Sequence, residues 1–254
     1  MRATILLFVS LVSLLRVHAE PESVAIPSAS DVIAHLMERD ADRQAALSSS
    51  GYTATRQYTL DNRSRHASMV VHVTVDPDGY KRFAIVDESG SSAVRKHVFH
   101  KILEEESVAS NPKLRSQSQI SPENYSFQSA GVEMVNNRRA YVIDLKPRKE
   151  RKYLIAGHIW VDAEDYAVMR VEGKPAKNPS FWTKSVHFVH EYEKNGTFWF
   201  PASNRSETDA RIFGRADMVI EYFDYAVNSQ SPQARGLVVR EFPEERSADL
   251  KAEK

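Results

Sequence analysis

Apolar and polar residues alternate with a period of two over most of this chain. A sequence patterned this way has to build a sheet with one buried face. Tyr52, Ala54, Tyr58 and Leu60 alternate with Thr53, Thr55, Gln57 and Thr59, and Met69, Val71, Val73 and Val75 share one face of the next strand. Turn chemistry separates the runs. Asp76-Pro77-Asp78-Gly79 combines a preset φ with a glycine, Asn136-Asn137 suits a two-residue turn with positive φ, and Asn195-Gly196 is a hairpin signal. Phe198, Trp199 and Phe200 are consecutive in a strand, so they cannot all face one way.

Helical spacing occurs in only two places. Val32, Ile33, Leu36, Met37 and Ala41 predict an amphipathic helix over 31–47, capped by Ser30 and stopped by Ser48–Gly51. Val94, Val98, Phe99, Ile102 and Leu103 predict a second, whose charges oppose its macrodipole. Arg95 and Lys96 lie near the start and Glu104–Glu106 near the end, so packing or partners for the glutamates must hold it. About eleven strands with two segregated helices predict an α+β fold. Its antiparallel sheet is expected to be strongly curved, an unclosed β-barrel whose concave apolar face the helices cover. A barrel-like sheet plugged by two helices is a natural place for an apolar cavity.

The N-terminus carries an address. Arg2, an apolar run from Ile5 to Leu15, and Val17-His18-Ala19 have the layout of a secretory signal peptide cut after Ala19. The expected organisation is signal 1–19, leader 20–30, one domain 31–242 and a charged tail 243–254. The expected location is periplasmic, with no transmembrane span in the mature chain. Cysteine is absent, which excludes disulfides, thiolate metal sites, cysteine nucleophiles and acylation at the cut site. Lys and Arg balance Asp and Glu at 34 each, which gives no electrostatic case for nucleic acid.

Catalytic motifs are missing. There is no G-x-S-x-G, phosphate loop, H-E-x-x-H or dinucleotide fingerprint, so no enzyme activity and no cofactor or metal is expected. His97 and His100, with Glu104 one turn on, read as a solvated helix face with a His100–Glu104 pair. His187 and His190 sit in a strand and point to opposite faces. Asp162-Ala163-Glu164-Asp165 lacks the calcium-loop residues and reads as a hairpin turn.

Gly157-His158-Ile159-Trp160-Val161-Asp162 and Met169-Arg170-Val171-Glu172-Gly173 are similar to the hairpin of the outer-membrane lipoprotein-sorting proteins, the LolA-like superfamily. The order of elements resembles that family across the mature chain. The resemblance implies an unclosed antiparallel barrel with lid helices that holds a lipid or the acyl chains of a lipoprotein. The family's lipoprotein carrier tethers its lid through a sheet arginine; Arg56 and Arg65 are arginines of that kind here, but no motif fixes which, so that role is not carried over. Candidate lining or rim residues are Met69, Val71, Val73, Trp160, Phe181, Trp182, Phe188, Met218 and Ile220. The alternative is a sensory or interaction module of the same fold with an envelope protein partner. An unrecognised hydrolase ranks last.

Overall fold

A computed structural model describes residues 26–227 apart from 49, 112, 113, 115, 152, 179–182 and 211–213. The signal segment, Phe181, Trp182, the expected last strand over 237–242 and the tail lie outside the described residues.

Helix α1 (Ala29–Leu47) starts two residues earlier than its spacing suggests. Its cap is Ser28, not Ser30: the Ser28 Oγ accepts the Asp31 N–H at 3.2 Å and donates to the Asp31 carboxylate at 2.7 Å. The helix ends where expected. Gly51 takes φ +63° and donates its N–H to the Leu47 carbonyl, and a Cβ there would meet the Val75 carbonyl oxygen at 2.4 Å.

Strands β1 (Tyr52–Asn62), β2 (Arg65–Val75) and β3 (Lys81–Gly90) lead into α2 (Ser92–Val94), a π-helical segment (Arg95–Phe99) and α3 (His100–Ala109). Seven more strands follow: β4 (Tyr125–Val135), β5 (Arg138–Pro147), β6 (Ile155–Asp162), β7 (Val168–Pro175), β8 (Thr183–Asn195), β9 (Phe198–Ala210) and β10 (Gly214–Val227). All ten form one antiparallel sheet in the order β3-β2-β1-β10-β9-β8-β7-β6-β5-β4. Among the described residues β1 pairs with β10, and β3 and β4 are the two edges. The sheet is therefore open, as expected, but it is not strongly curled, which corrects the expected strong curvature. Ten strands fall within what an open twisted sheet sustains.

The π turn follows from the sequence. Val94 and Phe99 are both buried although five residues apart, and an i→i+5 turn brings that spacing onto one face. The helical run Ser92–Ala109 then buries Val94, Phe99 and Leu103 against β1 and β2. That first core contains Tyr58, Met69, Val71 and Val73, with Phe198, Phe200 and Tyr222. Helix α1 packs Val32, Ile33 and Leu36 on a second core on the same face, containing Tyr125, Ile143, Ile159 and Val161. A third, smaller cluster (Ala140, Val142, Trp160 and Met169) lies on the opposite face, so that face is not uniformly wet. Trp199 turns to this third cluster while Phe198 and Phe200 enter the first core, which is how three consecutive aromatics divide between faces.

Turn chemistry behaves as its residues dictate. Asn136 and Asn137 have φ of 49° and 62°. Asp162 closes its hairpin by accepting the Glu164 and Asp165 N–H groups while Arg138 donates to it from both Nε and Nη2. The two glycines that bound the Gly157…Gly173 hairpin sequence are cross-strand partners. A Cβ at Gly157 would sit 2.0 Å from the Glu172 carbonyl oxygen, and one at Gly173 2.4 Å from that of Ala156. Gly157→Ala should therefore destabilise the fold by clearly more than the roughly 1 kcal/mol that backbone entropy returns in such a swap. Equal or higher urea midpoints for the variant would show that the strands separate at no cost.

Candidate functional site

Cavities on the helix-covered face of the sheet include one beneath α1 and one beneath the π turn, and a charged cluster lies between the cores. The larger of the two, about 550 Å³, lies beneath α1 and is lined by Leu36, Met37, Arg43, Ile120 and Tyr192 among others. Arg43 reaches from α1 to the carbonyls of Asp165 and Tyr166. The smaller cavity, about 300 Å³, lies beneath α2 and the π turn. Its walls are mostly carbon: Leu60 from β1, Val94 and Val98 from the helical run, and Ala216 and Met218 from β10. β9 contributes only Ser206 and Thr208 there, and these short side chains leave the space that a larger residue would fill.

Between the cores, Arg56 of β1 is 6% exposed and makes a bidentate pair with Glu106 of α3. Its Nη1 donates to Oε2 at 2.7 Å and its Nη2 to Oε1 at 3.0 Å. Lys81 of β3 adds a third contact to the same carboxylate at 2.7 Å, and Arg56 Nη1 also donates to the Tyr58 hydroxyl. Burial opposes ionisation of Glu106, but Lys81 and Arg56 outweigh it and hold its pKa down at about 2. Burial likewise opposes the Arg56 charge, and Glu106 more than offsets it, so the guanidinium is raised from its ordinary value. The glutamates at the end of the helical run thus have the partners that its reversed charge order required.

An aromatic stack extends from this cluster across the sheet. The Arg56 guanidinium lies 4.9 Å from the Tyr222 ring centre, His190 stacks on Tyr222 at 5.8 Å, and Tyr192 stacks on His190 at 4.6 Å. Burial first, and Arg56 second, lower the His190 pKa to about 4, so the imidazole is neutral at pH 7. His187, three residues away, points to the other face beside Glu172, as a strand requires. His100 does not pair with Glu104. It engages Glu88 of β3 at 2.8 Å, because the π turn rotates it toward the sheet, and Glu104 pairs with Lys101. Among the described residues no group of three His, Cys, Asp or Glu could hold a metal ion, and no helix is long and apolar enough to cross a membrane.

The sequence-derived candidates divide by position. Met69, Val71 and Val73 are at most 1% exposed and form core beneath the helical run. Ile220 is core as well, while Met218 lines the smaller cavity and Phe188 packs at the margin of the second core. Trp160 is buried on the opposite face, where its indole donates to Glu133 and Arg170 lies over its ring, so the fold does not bring it together with the others. Phe181 and Trp182 fall outside the described residues. Sequence reasoning missed Lys81, Glu106 and His190 as a constellation, since β1, β3 and α3 meet only in the fold and His190 of β8 reaches the cluster only through Tyr222 of β10. Of this cluster the sequence singles out only Arg56, together with Arg65, through the family resemblance.

No protein-family model matches this chain. No curated protein matches it either. Solved structures do. A LolA superfamily protein from Nitrosomonas europaea is 9% identical, with 87% of this chain and 97% of that one covered and a TM-score of 0.40. The chain is structurally similar to LolA-superfamily proteins. An outer membrane lipoprotein-sorting protein domain from Vibrio parahaemolyticus is 13% identical, over 80% of this chain and 94% of that one, with a TM-score of 0.41. A DUF1329 family protein from Desulfovibrio piger is 12% identical, over 81% and 95%, with a TM-score of 0.42.

Proposed function

We propose that this protein binds and carries a lipid-like ligand, exported by its N-terminal signal into an aqueous envelope compartment. The supporting observation is the carbon-lined cavity between the sheet and the helical run Ser92–Ala109. Each methylene buried there contributes roughly 0.8 kcal/mol, so an alkyl chain binds usefully without many polar contacts. The run is fixed to the sheet through a few groups, Arg56 and Lys81 on Glu106 and Glu88 on Arg95 and His100. Loading then consists of breaking these pairs and lifting the helix. Of the sequence candidates, Met218 is the contact residue, Ile220 and Phe188 flank the cavities, and Met69, Val71 and Val73 shape the floor.

Met218 is only partly buried, so Met218→Glu should leave the circular dichroism spectrum and urea midpoint near those of the parent while weakening binding of a neutral fluorescent naphthylamine probe at least tenfold. Organic extraction of protein purified from its native envelope should release an acyl lipid. An extract free of lipid, together with unchanged probe binding by the variant, would rule out carriage at this site.

A further inference from the structure

The smaller cavity, beneath α2 and the π turn, has a shape that narrows the ligand, and this narrowing rests on the carrier reading. Its floor is a grid of cross-strand partners on β1, β10 and β9. Leu60, Met218 and Ser206 form one row, and Asn62, Ala216 and Thr208 form the next. Directly opposed residues of antiparallel strands share a face, so both rows point at the helical run. Ala93, Val94 and Val98 of that run make the roof.

Among the described residues, the floor stops at the first row. The next cross-strand pair, Tyr58 and Ile220, is 0% and 6% exposed and belongs to the first core. Phe99, wholly buried, comes down on Tyr58 from the π turn and closes that end with it. Exposure rises in the other direction. On β1 it goes from buried Leu60 to half-buried Asn62, and on β10 from half-buried Met218 to exposed Gly214. Side-chain size is graded the same way. From the mouth inward, alternate residues of β10 are Gly214, Ala216, Met218 and Ile220, so small residues stand at the opening and large ones at the stop. The cavity is a slot with one blind end.

Length and volume agree on its capacity. From Gly214 to Met218 the strand advances about 14 Å, at roughly 3.4 Å per residue. An extended chain of single bonds advances about 1.2 Å per bond, so that distance takes roughly a dozen carbons. A cavity of about 150 Å³ holds one benzene, so the slot's volume of about 300 Å³ also corresponds to roughly a dozen carbons.

We propose that this slot is a length gauge: it takes one alkyl chain, methyl end first, to a depth of roughly a dozen carbons, with Tyr58, Phe99 and Ile220 as the stop and the rest of the ligand outside the Gly214 end. Each methylene that enters strengthens binding about fourfold, and carbons beyond the stop add nothing. The n-alkanols from octanol to hexadecanol share a head and differ only in length. With the purified full chain, and each alkanol below its solubility limit, displacement of the naphthylamine probe should show affinity rising about fourfold per carbon up to roughly dodecanol and level beyond it. Ser206→Leu lengthens a side chain in the deep row and should move the break to chains roughly two carbons shorter. Ala216→Leu, one row nearer the mouth, should weaken every length alike. If affinity climbs without a break to hexadecanol, the gauge is wrong and the carrier reading stands. A break that Ser206→Leu leaves in place, or identical effects of the two variants, puts the stop elsewhere and overturns the assignment. If neither the probe nor any alkanol binds to a protein that is folded by circular dichroism, the carrier reading fails as well.

Discussion

Arg56→Ala is expected to destabilise the protein by about 3–5 kcal/mol, a large share of the 5–15 kcal/mol by which domains are stable. Arg56 is buried at the junction of β1, β3, β10 and α3, where its two Nη groups occupy both oxygens of Glu106 and its face lies against Tyr222 and Phe83. Removing it leaves the carboxylate with Lys81 alone in a site that opposes ionisation. The cost arises chiefly from the stranded partner. Arg56→Met/Glu106→Leu, which removes both charges and keeps the volume, should accordingly lose less than Arg56→Ala. Urea denaturation of the two variants decides this, and a double variant as unstable as the single one would mean that packing of the guanidinium, not charge, dominates. The same pair sets an acid limit. The Glu106 pKa is depressed in the fold to about 2, so the stability it contributes is complete above its ordinary 4.5 and is lost as pH falls through about 2. Glu106→Gln should start less stable at pH 7 and lose less between pH 4.5 and 2 than the parent.

Phe99→Ala is expected to cost about 3–5 kcal/mol and to release the helical run first. Phe99 is wholly buried and sits at the end of the π turn with its ring 5.8 Å from Tyr58. A π turn is a poor local minimum, and it is kept here because it places Val94 and Phe99 in the core together. Without the phenyl group that reason disappears. Amide exchange should then show Ser92–Ala109 losing protection well before the sheet, and apolar-probe binding should rise or fall with it. Uniform loss of protection across β1–β10 would mean that the helix and the sheet are one cooperative unit.

The faces of the strands were legible because alternation is local. Met69, Val71 and Val73 could only point one way, and Phe198 and Phe200 had to part from Trp199. The hairpin turns were equally plain from Asn136-Asn137 and Asn195-Gly196, whose residues tolerate the required backbone. Trp160 shows where such reading stops. Its neighbours Ile159 and Val161 enter the second core, so Trp160 had to face away from them, but only the register of β5, β6 and β7 shows that the other face has a dry patch to receive it.

What the sequence determined by itself is the antiparallel, one-face-buried sheet, the two helices that cover it and the absence of cysteine chemistry. These follow from the properties of residues within a few positions of one another. The tertiary structure alone decided that β1 pairs with β10, that the sheet is not strongly curled, and that Arg56, Lys81, Glu106, Tyr222 and His190 assemble from elements far apart in the chain. It also decided the π turn's register. The physical reason is that long-range pairing is chosen by the summed burial of whole faces, and no local window of sequence contains that sum.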